Sequence, residues 1–232
     1  MLLSVIVPVY NEEKTLWKII EIINNVAIEK EIIFVNDGST DSTKQILDQT
    51  NFCNCIAIHH EKNQGKGASI RTGLKYVKGD VVIIQDADLE LNPQEYLKLI
   101  RPIKEGKAKV VFGSRYLGKG KAGSFSRYLA NKILTFFTNY FNGISLTDMN
   151  TCYKMFIASL IPQLDLQSDG FDIEPELAAK LVKFGGKITE VPISYNPRTS
   201  QEGKKIRFKD FFKDMKAIYK FRKKTNKHYE QD

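Results

Sequence analysis

The fold is decided by the stretch Val81-Val82-Ile83-Ile84-Gln85-Asp86-Ala87-Asp88-Leu89-Glu90. It opens with four consecutive aliphatic residues, a pattern typical of a strand that is buried on both faces. Strands of this kind occur mainly in parallel sheets that helices cover on both sides. The stretch therefore predicts an α/β fold.

Three acidic residues, Asp86, Asp88 and Glu90, follow this strand at alternate positions. In open α/β sheets, ligands bind at the carboxyl ends of the strands. Three carboxylates this close repel one another unless a cation lies between them, and their hard oxygen atoms suit divalent ions. We therefore predict a divalent-metal site, formed by these three residues, that serves a nucleotide diphosphate.

Composition limits the class of protein. The chain has 232 residues, enough for one large domain or one domain with an appendage, and its 42% hydrophobic and 27% charged content is that of a globular protein. Three cysteines without paired spacing predict neither a disulfide framework nor a structural zinc site, and a reducing compartment fits best. We also expect no signal peptide and no membrane-spanning helix, which needs about 20 apolar residues.

The positive charge is concentrated near the carboxyl end. The net charge is +8, and the segment Lys204–Lys227 alone holds eleven Lys and Arg against two Asp, a balance of +9 that leaves −1 for the rest. We therefore divide the chain into a neutral catalytic body, residues 1–203, and a basic segment, residues 204–232. This distribution argues against a nucleic-acid-binding protein and for one basic attachment surface.

Strand and helix patterns alternate along the first half of the chain. This alternation predicts βαβ units and a mostly parallel sheet, with turn-rich loops at the carboxyl ends of the strands. Asn11, Asp37 and Asp86 would then lie along one edge of the sheet. The predicted strands are Val5–Val9, Glu31–Asn36, Cys55–His59, Val81–Ile84, Val110–Gly113 and, further along, Ile188–Tyr195.

Two amphipathic helices are predicted in the second half. Residues 125–141 carry a stripe of aromatic and aliphatic side chains at helical spacing. We interpret the stripe as a buried packing face, and the alternative is a surface helix resting on lipid headgroups. Residues 208–220 place apolar side chains on one face and lysines on the other, which predicts a basic amphipathic helix. That helix either packs on the sheet or adsorbs to an anionic membrane.

Five motifs in this order resemble the family 2 glycosyltransferases of the GT-A fold, and most closely their polyprenyl-phosphate (dolichyl-phosphate) mannose and glucose synthases. The resemblance covers roughly Leu3 to Arg207 and implies a three-layer fold around a mostly parallel sheet. The motifs are Pro8-Val9-Tyr10-Asn11-Glu12, Asn36-Asp37-Gly38-Ser39-Thr40-Asp41, Asn63-Gln64-Gly65-Lys66-Gly67, Asp86-Ala87-Asp88-Leu89 and Gly113-Ser114-Arg115-Tyr116.

The resemblance implies a donor-binding role for residues after the first two strands. In the family, the counterpart of Asp37 helps to hold the nucleoside, and Pro8, Tyr10 and Glu12 line the same pocket. A carboxylate can accept hydrogen bonds from a base or a ribose hydroxyl. The alternative for Asp37 is a purely structural turn residue, because Asp-Gly is a common turn pair.

The same resemblance makes Asp86-Ala87-Asp88 the motif that holds Mg²⁺ or Mn²⁺ on the donor diphosphate. Glu90 departs from the family pattern, because mannose synthases often carry glutamine there, and glutamate adds negative charge to the site.

Four cationic residues are expected around phosphates, where Arg offers a bidentate fork and Lys a mobile charge. The family resemblance implies that Arg115 and Arg127 serve the donor and acceptor phosphates, and with Asp88 they are the predicted catalytic residues. Arg198 and Lys205 would lie on a loop that closes over the donor. For each of the four, the alternative is an ordinary solvated surface charge.

The predicted reaction is an inverting sugar transfer from a nucleotide-diphosphate sugar to a polyprenyl phosphate at the cytoplasmic face of a membrane. A phosphate monoester has its second pKa near 6, so no general base is needed. A saccharide acceptor would require a base such as Asp148 or Glu176, although for both we favour structural hydrogen bonding. Two more classes compete with this reaction, a nucleotidyltransferase and a non-catalytic sugar-nucleotide or membrane-binding module. An anionic membrane surface and a membrane-anchoring protein are the expected partners.

Overall fold

The structure of the chain is a computed structural model that describes residues 1–50, 54–118, 125–198 and 208–222. The strands are β1 (Leu3–Val9), β2 (Lys30–Asn36), β3 (Cys55–His59), β4 (Val81–Ile84), β5 (Val110–Ser114), β6 (Lys154–Ile157) and β7 (Ile188–Pro192). The α-helices are α1 (Leu16–Asn24), α2 (Thr43–Gln49), α3 (Lys66–Leu74), α4 (Tyr96–Lys104), α5 (Phe125–Asn142), α6 (Ile161–Leu164), α7 (Ile173–Gly185) and α8 (Phe208–Phe221).

The strands form one mixed sheet in the order β3-β2-β1-β4-β6-β5-β7. All neighbouring pairs are parallel except those of β6, which runs antiparallel to both β4 and β5. The predicted α/β fold with a mostly parallel sheet is therefore confirmed. The sequence prediction missed β6, and it carried the last strand to Tyr195 although β7 ends at Pro192.

Strand β4 lies between β1 and β6, and all four of its residues are fully buried, as the sequence predicted. The next residue, Gln85, is also buried. Its Oε1 accepts hydrogen bonds from the hydroxyls of Tyr96 (2.6 Å) and Tyr153 (2.7 Å), and its amide donates to the carbonyl of Asp86. Because a buried amide is costly unless it is paired, these bonds fix the point at which the acidic loop leaves the strand.

Helix α5 faces the protein with its polar side, contrary to the predicted burial of its apolar stripe. Its buried residues are mostly polar: Asn131, Leu134, Thr135, Thr138 and Asn142. The polar side chains bind the following loop and the helix itself, as when Thr135 Oγ1 accepts from the Met149 amide. Most of the predicted stripe therefore points away from the body, with Phe125, Leu129, Ile133, Phe136 and Tyr140 all exposed.

Helix α8 packs against α7 and α5. Ile218, Ala217 and Asp214 are buried in this contact, whereas Phe212 and Tyr219 from the predicted apolar face are 60% and 58% exposed. The amphipathic helix is thus present, but only part of its apolar face is covered by the described residues. No helix in the described ranges is long and apolar enough to cross a membrane.

Gly67→Ala is expected to destabilise the protein, although alanine is the better helix former. A Cβ at Gly67, in α3, would overlap the main-chain carbonyl oxygen of Ser168, which cannot move aside as a side chain can. We expect a loss of about 2 kcal/mol in the free energy of unfolding, and a melting temperature lower by roughly 6 °C. Gly170→Ala, in the loop before α7, is the control, because its Cβ would meet only the carboxylate oxygen at the end of the Asp172 side chain, at 3.0 Å. An equal loss in both variants would contradict this explanation.

Candidate active site

A cavity of about 120 Å³ opens at the carboxyl end of β4. The acidic loop after β4 contributes Asp86, Asp88 and Glu90 to its wall. One further residue comes from α3, which packs on β1 and β2. The others come from the far side of β4, from the segments after β5 and before β6 and from α7 and α8. Together these residues are Lys66, Arg115, Asn150, Cys152, Glu174 and Asp214. The structure therefore brings together the acidic loop and one of the predicted arginines, Arg115, around one space.

Asp88 lies where negative charge accumulates. Burial raises the pKa of Asp88 to about 6, and the charges of Asp86 and Glu90 act in the same direction. The guanidinium of Arg198 opposes them, because its Nη2 lies 2.8 Å from Asp88 Oδ2. The site thus favours a cation beside Asp88, and in this structure Arg198 is that cation.

Arg198 connects three carboxylates of the site. Besides Asp88, its guanidinium forms a two-pronged pair with Glu12, with both N–O distances at 3.1 Å. Its backbone amide donates to Glu90 Oε1 at 2.9 Å, and the Tyr195 hydroxyl donates to Glu90 Oε2 at 3.2 Å. The predicted loop residue Arg198 therefore lies at the acidic loop, and Glu90 holds the segment that follows β7.

A second cation, Lys66, lies on the other side of the acidic loop. Its Nζ is 2.7 Å from Asp86 Oδ1 and 2.9 Å from Glu174 Oε1, and Glu174 also pairs with the fully buried Lys154. Burial acts to lower the pKa of Lys66, but the charges of Asp86 and Glu174 outweigh it and hold it well above the usual range. Burial likewise acts to raise the pKa of Glu174, but the two lysines lower it to about 2. Lys66 and Glu174 are therefore charged at neutral pH.

Arg115 is held in the cavity wall by Asp148. Its Nε and Nη2 each lie 2.7 Å from a different oxygen of Asp148, and Nη2 also donates to the carbonyl of Asn150. Asp148 is fully buried and accepts a further bond from Asn131 Nδ2. Although burial alone would raise the pKa of Asp148, Arg115 outweighs it and lowers the pKa below its ordinary value. Asp148 is accordingly a poor general base, in agreement with the favoured structural role.

Glu176 also has a structural role. It is fully buried, and its two oxygens accept from the backbone amides of Gln167 (2.8 Å) and Ser168 (2.7 Å). Lys180 pairs with it one turn further along α7, at 2.7 Å. Since its oxygens hold the loop before α7, Glu176 too agrees with the favoured structural role.

The residues predicted to hold the nucleoside lie after β1 and β2. Pro8 and Tyr10 are half-buried at the end of β1, and Glu12 is buried beside them. Asp37 is buried, and it accepts from the amides of Gln64 (2.9 Å) and Gly65 (2.8 Å) as well as pairing with His60. These bonds tie the loop after β2 to the Asn63–Gly67 motif. Asp37 therefore has a structural role, and its contact with a nucleoside stays a prediction.

One predicted phosphate-binding residue within the described ranges lies away from the cavity wall. Arg127 is exposed in the first turn of α5, away from the cavity wall. Lys205 lies outside the described residues. Ala87 is buried, and its carbonyl accepts from the Thr15 hydroxyl at 3.1 Å, so it positions the acidic loop against the start of α1.

Comparison with known proteins identifies the family. The profile of "Glycosyl transferase family 2" matches residues 4–164, more than half of the chain. The chain belongs to glycosyltransferase family 2. The matched region contains the acidic loop, the Asp37 loop and Arg115, so the resemblance read from the sequence motifs is confirmed.

Relatives of this family 2 chain include two archaeal proteins. Dolichol-phosphate mannosyltransferase from Pyrococcus furiosus is 30% identical over 232 residues, 96% of this chain and 64% of the relative. The low-salt glycan biosynthesis hexosyltransferase Agl6 from Haloferax volcanii is 28% identical over 205 residues, 86% of this chain and 49% of the relative. The chain therefore spans about half to two thirds of these relatives' lengths.

Solved structures confirm the GT-A fold. The structure of glucosyl-3-phosphoglycerate synthase from Mycobacterium tuberculosis with Mn²⁺, UDP-glucose and phosphoglyceric acid superposes with a TM-score of 0.72 at 17% identity. The match covers 94% of this chain and 79% of that one. At this identity the likeness establishes the fold.

The donor set of this family 2 site fits a divalent ion that is completed by a ligand. Within the described ranges, no three His, Cys, Asp or Glu side chains are arranged to hold an ion by themselves, so the predicted three-carboxylate cage is not formed. The reason is that Glu90 is bound to Tyr195 and Arg198. Asp86 and Asp88 still share the cavity wall, and Mg²⁺ is commonly held by one or two carboxylates together with substrate phosphates.

Sequence reasoning missed four residues of the cavity wall: Lys66, Asn150, Glu174 and Asp214. Lys66 lies between two glycines in the motif Asn63-Gln64-Gly65-Lys66-Gly67, and this position could have indicated a site residue. Asn150 lies before β6, Glu174 in α7 and Asp214 in α8. No local sequence pattern indicates where these elements lie relative to β4.

Asp214 is the least compensated of these residues. It is 7% exposed, and its Oδ1 has no hydrogen-bond partner in the part of the chain that the structure describes. Burial raises the pKa of Asp214 to about 7, and the charges of Glu174, Asp172 and Asp210 add to the rise. A carboxylate in this position destabilises the fold whenever it is ionised.

Asp214→Asn is therefore expected to stabilise the protein at alkaline pH. The folded state holds the Asp214 proton more tightly than the unfolded state, so its contribution is fully present below about pH 4 and is lost as the pH rises through about 7. At pH 8 we expect the variant to be more stable by up to about 4 kcal/mol, and to melt roughly 10 °C higher. At pH 5, where the unfolded side chain is already mostly ionised and the folded one is not, the gain should be smaller, about 1.5 kcal/mol or roughly 4 °C.

Thermal unfolding at pH 5 and pH 8 measures this difference. Glu21→Gln, at an exposed carboxylate on α1, controls for the loss of one negative charge. A gain for Asp214→Asn that is equal at both pH values would show that Asp214 does not titrate between them.

Proposed function

We propose that this chain transfers a hexose from a nucleotide-diphosphate sugar to a polyprenyl phosphate, with inversion at the anomeric carbon. The observation that carries the proposal is the cavity in which Asp86 and Asp88 face Arg115. It combines a place for a metal-bound diphosphate with a fixed cation for a second phosphate. The dolichol-phosphate mannosyltransferase relative supports the acceptor class, and mannose and glucose are the two candidate sugars.

The donor lies across the carboxyl edge of the sheet. Its nucleoside occupies the loops after β1 and β2, beside Tyr10 and Glu12. Asp86 and Asp88 would hold Mg²⁺ or Mn²⁺, which would supply positive charge against the departing nucleoside diphosphate. Arg198 would exchange its pairing with Asp88 and Glu12 for a phosphate of the donor, which its guanidinium can bind through two hydrogen bonds.

The acceptor needs no general base. A polyprenyl monophosphate is largely a dianion at neutral pH, so the attacking oxygen already carries the charge. Arg115 holds this group in line with the anomeric carbon, and Asp148 fixes the orientation of the guanidinium. Attack from the face opposite the leaving group gives a β-linked product from an α-linked donor. The engagement of Asp148 and Glu176 in structural bonds supports a phosphate acceptor over a saccharide.

Transfer should depend on Asp88 and on a phosphate acceptor. We expect the full chain with Mg²⁺ or Mn²⁺ to convert GDP-mannose or UDP-glucose and a short polyprenyl phosphate into a lipid-linked sugar, detected by mass. Asp88→Asn should lower the rate by about 100- to 1,000-fold, because one lost electrostatic contact to the transition state costs roughly 3–4 kcal/mol.

Glu105→Gln, a change to an exposed carboxylate after α4, is the matched control and should leave the rate unchanged. Transfer to a free saccharide but not to the lipid phosphate would refute the acceptor. Full activity of Asp88→Asn would refute the metal-ligand role.

A membrane surface is the proposed site of action. The exposed apolar side chains of α5 continue onto α8, where Tyr219 packs edge-on to Phe141 at 6.0 Å between ring centres. We call this the aromatic surface, and it consists of Phe125, Leu129, Ile133, Phe136, Tyr140, Phe212 and Tyr219. Lys213, Lys216 and Lys220 are exposed on the same helix as Tyr219. Aromatic rings beside lysines complement the headgroup region of an anionic bilayer, here the cytoplasmic leaflet.

Binding to liposomes tests this surface. Phe136→Ser combined with Tyr140→Ser should reduce co-sedimentation with vesicles containing phosphatidylserine by at least tenfold, because each buried aromatic side chain contributes about 2 kcal/mol. Replacing Lys213, Lys216 and Lys220 with Gln should remove most of the salt dependence, since each lysine contributes about 1 kcal/mol.

Tyr76→Ser is the control for the loss of an exposed aromatic residue on another face. If the wild-type chain fails to bind such vesicles at low salt, the surface is instead suited to a membrane-anchoring protein and the direct membrane contact is refuted.

A further inference from the structure

We propose that Asp214, together with Asn150, binds hydroxyl groups of the transferred sugar. This inference rests on the proposed function and adds a sugar-recognition site to it. Both residues line the cavity, Asp214 from α8 and Asn150 from the loop before β6. The Oδ1 atoms of both are buried without a hydrogen-bond partner among the described residues. Two buried acceptors that share one cavity are suited to a ligand that donates hydrogen bonds.

The position of these residues matches the order of groups in a nucleotide sugar. In the sheet, β4 separates β1 and β2 from β6 and β5. The nucleoside loops follow β1 and β2, and the acidic loop that serves the diphosphate follows β4. Asn150 and Asp214 lie beyond the acidic loop, in the part of the cavity built by the elements around β6. In a nucleotide sugar, the sugar is attached to the end of the diphosphate that lies farther from the nucleoside. Asn150 and Asp214 therefore lie where the sugar of the proposed donor would be.

The chemistry of this wall selects a neutral group. The charges of Glu174 and Asp172 act on Asp214 more strongly than the opposing charge of Lys154. Beside the Asp214 carboxylate, a phosphate would therefore be repelled. A hexose carries several hydroxyl donors and no charge. The volume is also appropriate, because about 120 Å³ of cavity holds roughly ten water-sized groups, and a hexosyl group has about that number of heavy atoms.

The energetic cost of Asp214 also favours a ligand-binding role. A buried carboxylate with an unpaired oxygen destabilises the folded chain, and a neutral side chain of similar size would fit the same helix face. Such uncompensated groups are found where substrate binding supplies the missing partner. A sugar hydroxyl donating to Asp214 would supply it.

Calorimetric titration of the full chain with Mn²⁺ tests the inference. GDP and GDP-mannose, and UDP and UDP-glucose, are compared as pairs, so that each sugar conjugate is measured against its own diphosphate. Asp214→Ala should weaken binding of the sugar nucleotide by about tenfold, and should change the affinity for the diphosphate by less than about twofold. Asp214→Asn, which keeps an acceptor oxygen, should retain most of the affinity.

Donor analogues in which single hydroxyls are replaced by fluorine separate a contact from an indirect effect. For the analogue that lacks the hydroxyl bound by Asp214, wild type and Asp214→Ala should bind equally well. Asp210→Ala is the matched control on α8 and should leave every affinity unchanged. Melting temperatures of the variants show that each is folded.

Three results would overturn the proposal. Equal weakening of diphosphate and sugar nucleotide by Asp214→Ala would mean that the residue only shapes the site. The same penalty with every fluorinated analogue would exclude a hydroxyl contact. Failure of all four nucleotides to bind the wild-type chain would instead refute the proposed function itself, and the sugar site with it.

Discussion

The site depends on a series of three ion pairs with alternating charge. They join Asp86 to Lys66, Lys66 to Glu174, and Glu174 to Lys154. These residues come from the loop after β4, from α3, from α7 and from β6, so the series connects four elements that are distant in sequence. Removing one member of a buried ion pair leaves its partner uncompensated, which is far more costly than the pair is stabilising. Asp86 is therefore held in position by ion pairs that lead back to the buried Lys154, without any ligand.

The other half of the acidic loop is held differently. Asp88 and Glu90 are bound by Arg198 and Tyr195, which lie on the segment after β7. Lys66 is enclosed by protein, whereas Arg198 belongs to a segment that continues into residues outside the described ranges. Lys66 is thus fixed within the folded body of the protein, whereas Arg198 lies on a loop. This asymmetry suits a site in which an incoming metal ion replaces one compensating charge and leaves the second in place.

The sequence predicted the parts of this fold that depend on local pattern. Strand β4 was evident because four adjacent aliphatic residues have few other stable arrangements, and its acidic loop followed from chain order alone. Strand β6 was missed because Lys154 interrupts its apolar run. Lys154 is buried in an ion pair with Glu174. Local hydrophobic periodicity does not show a pairing between residues that are twenty positions apart.

The orientation of α5 shows a different limit. The spacing of its aromatic residues correctly predicted an amphipathic helix, but periodicity does not tell which face turns inward. Here the inward face is polar, because Asn131 and Thr135 hold the loop that carries Asp148. Among the predicted site residues, Arg115 and Arg198 reached the cavity wall or its acidic loop, whereas Arg127 did not, since a surface charge and a phosphate-binding charge look alike in sequence.

The two helices that carry the aromatic surface also hold the catalytic side of the cavity. On α5, Asn131 binds Asp148, which fixes Arg115, while Phe136 and Tyr140 face outward from the same helix. On α8, Asp214 reaches the cavity wall while Phe212 and Tyr219 are exposed. A shift of either helix would therefore move a cavity residue together with the surface. Since rigid helices transmit displacement along their length, the proposed membrane contact of this surface would be mechanically connected to the geometry around Arg115 and Asp214.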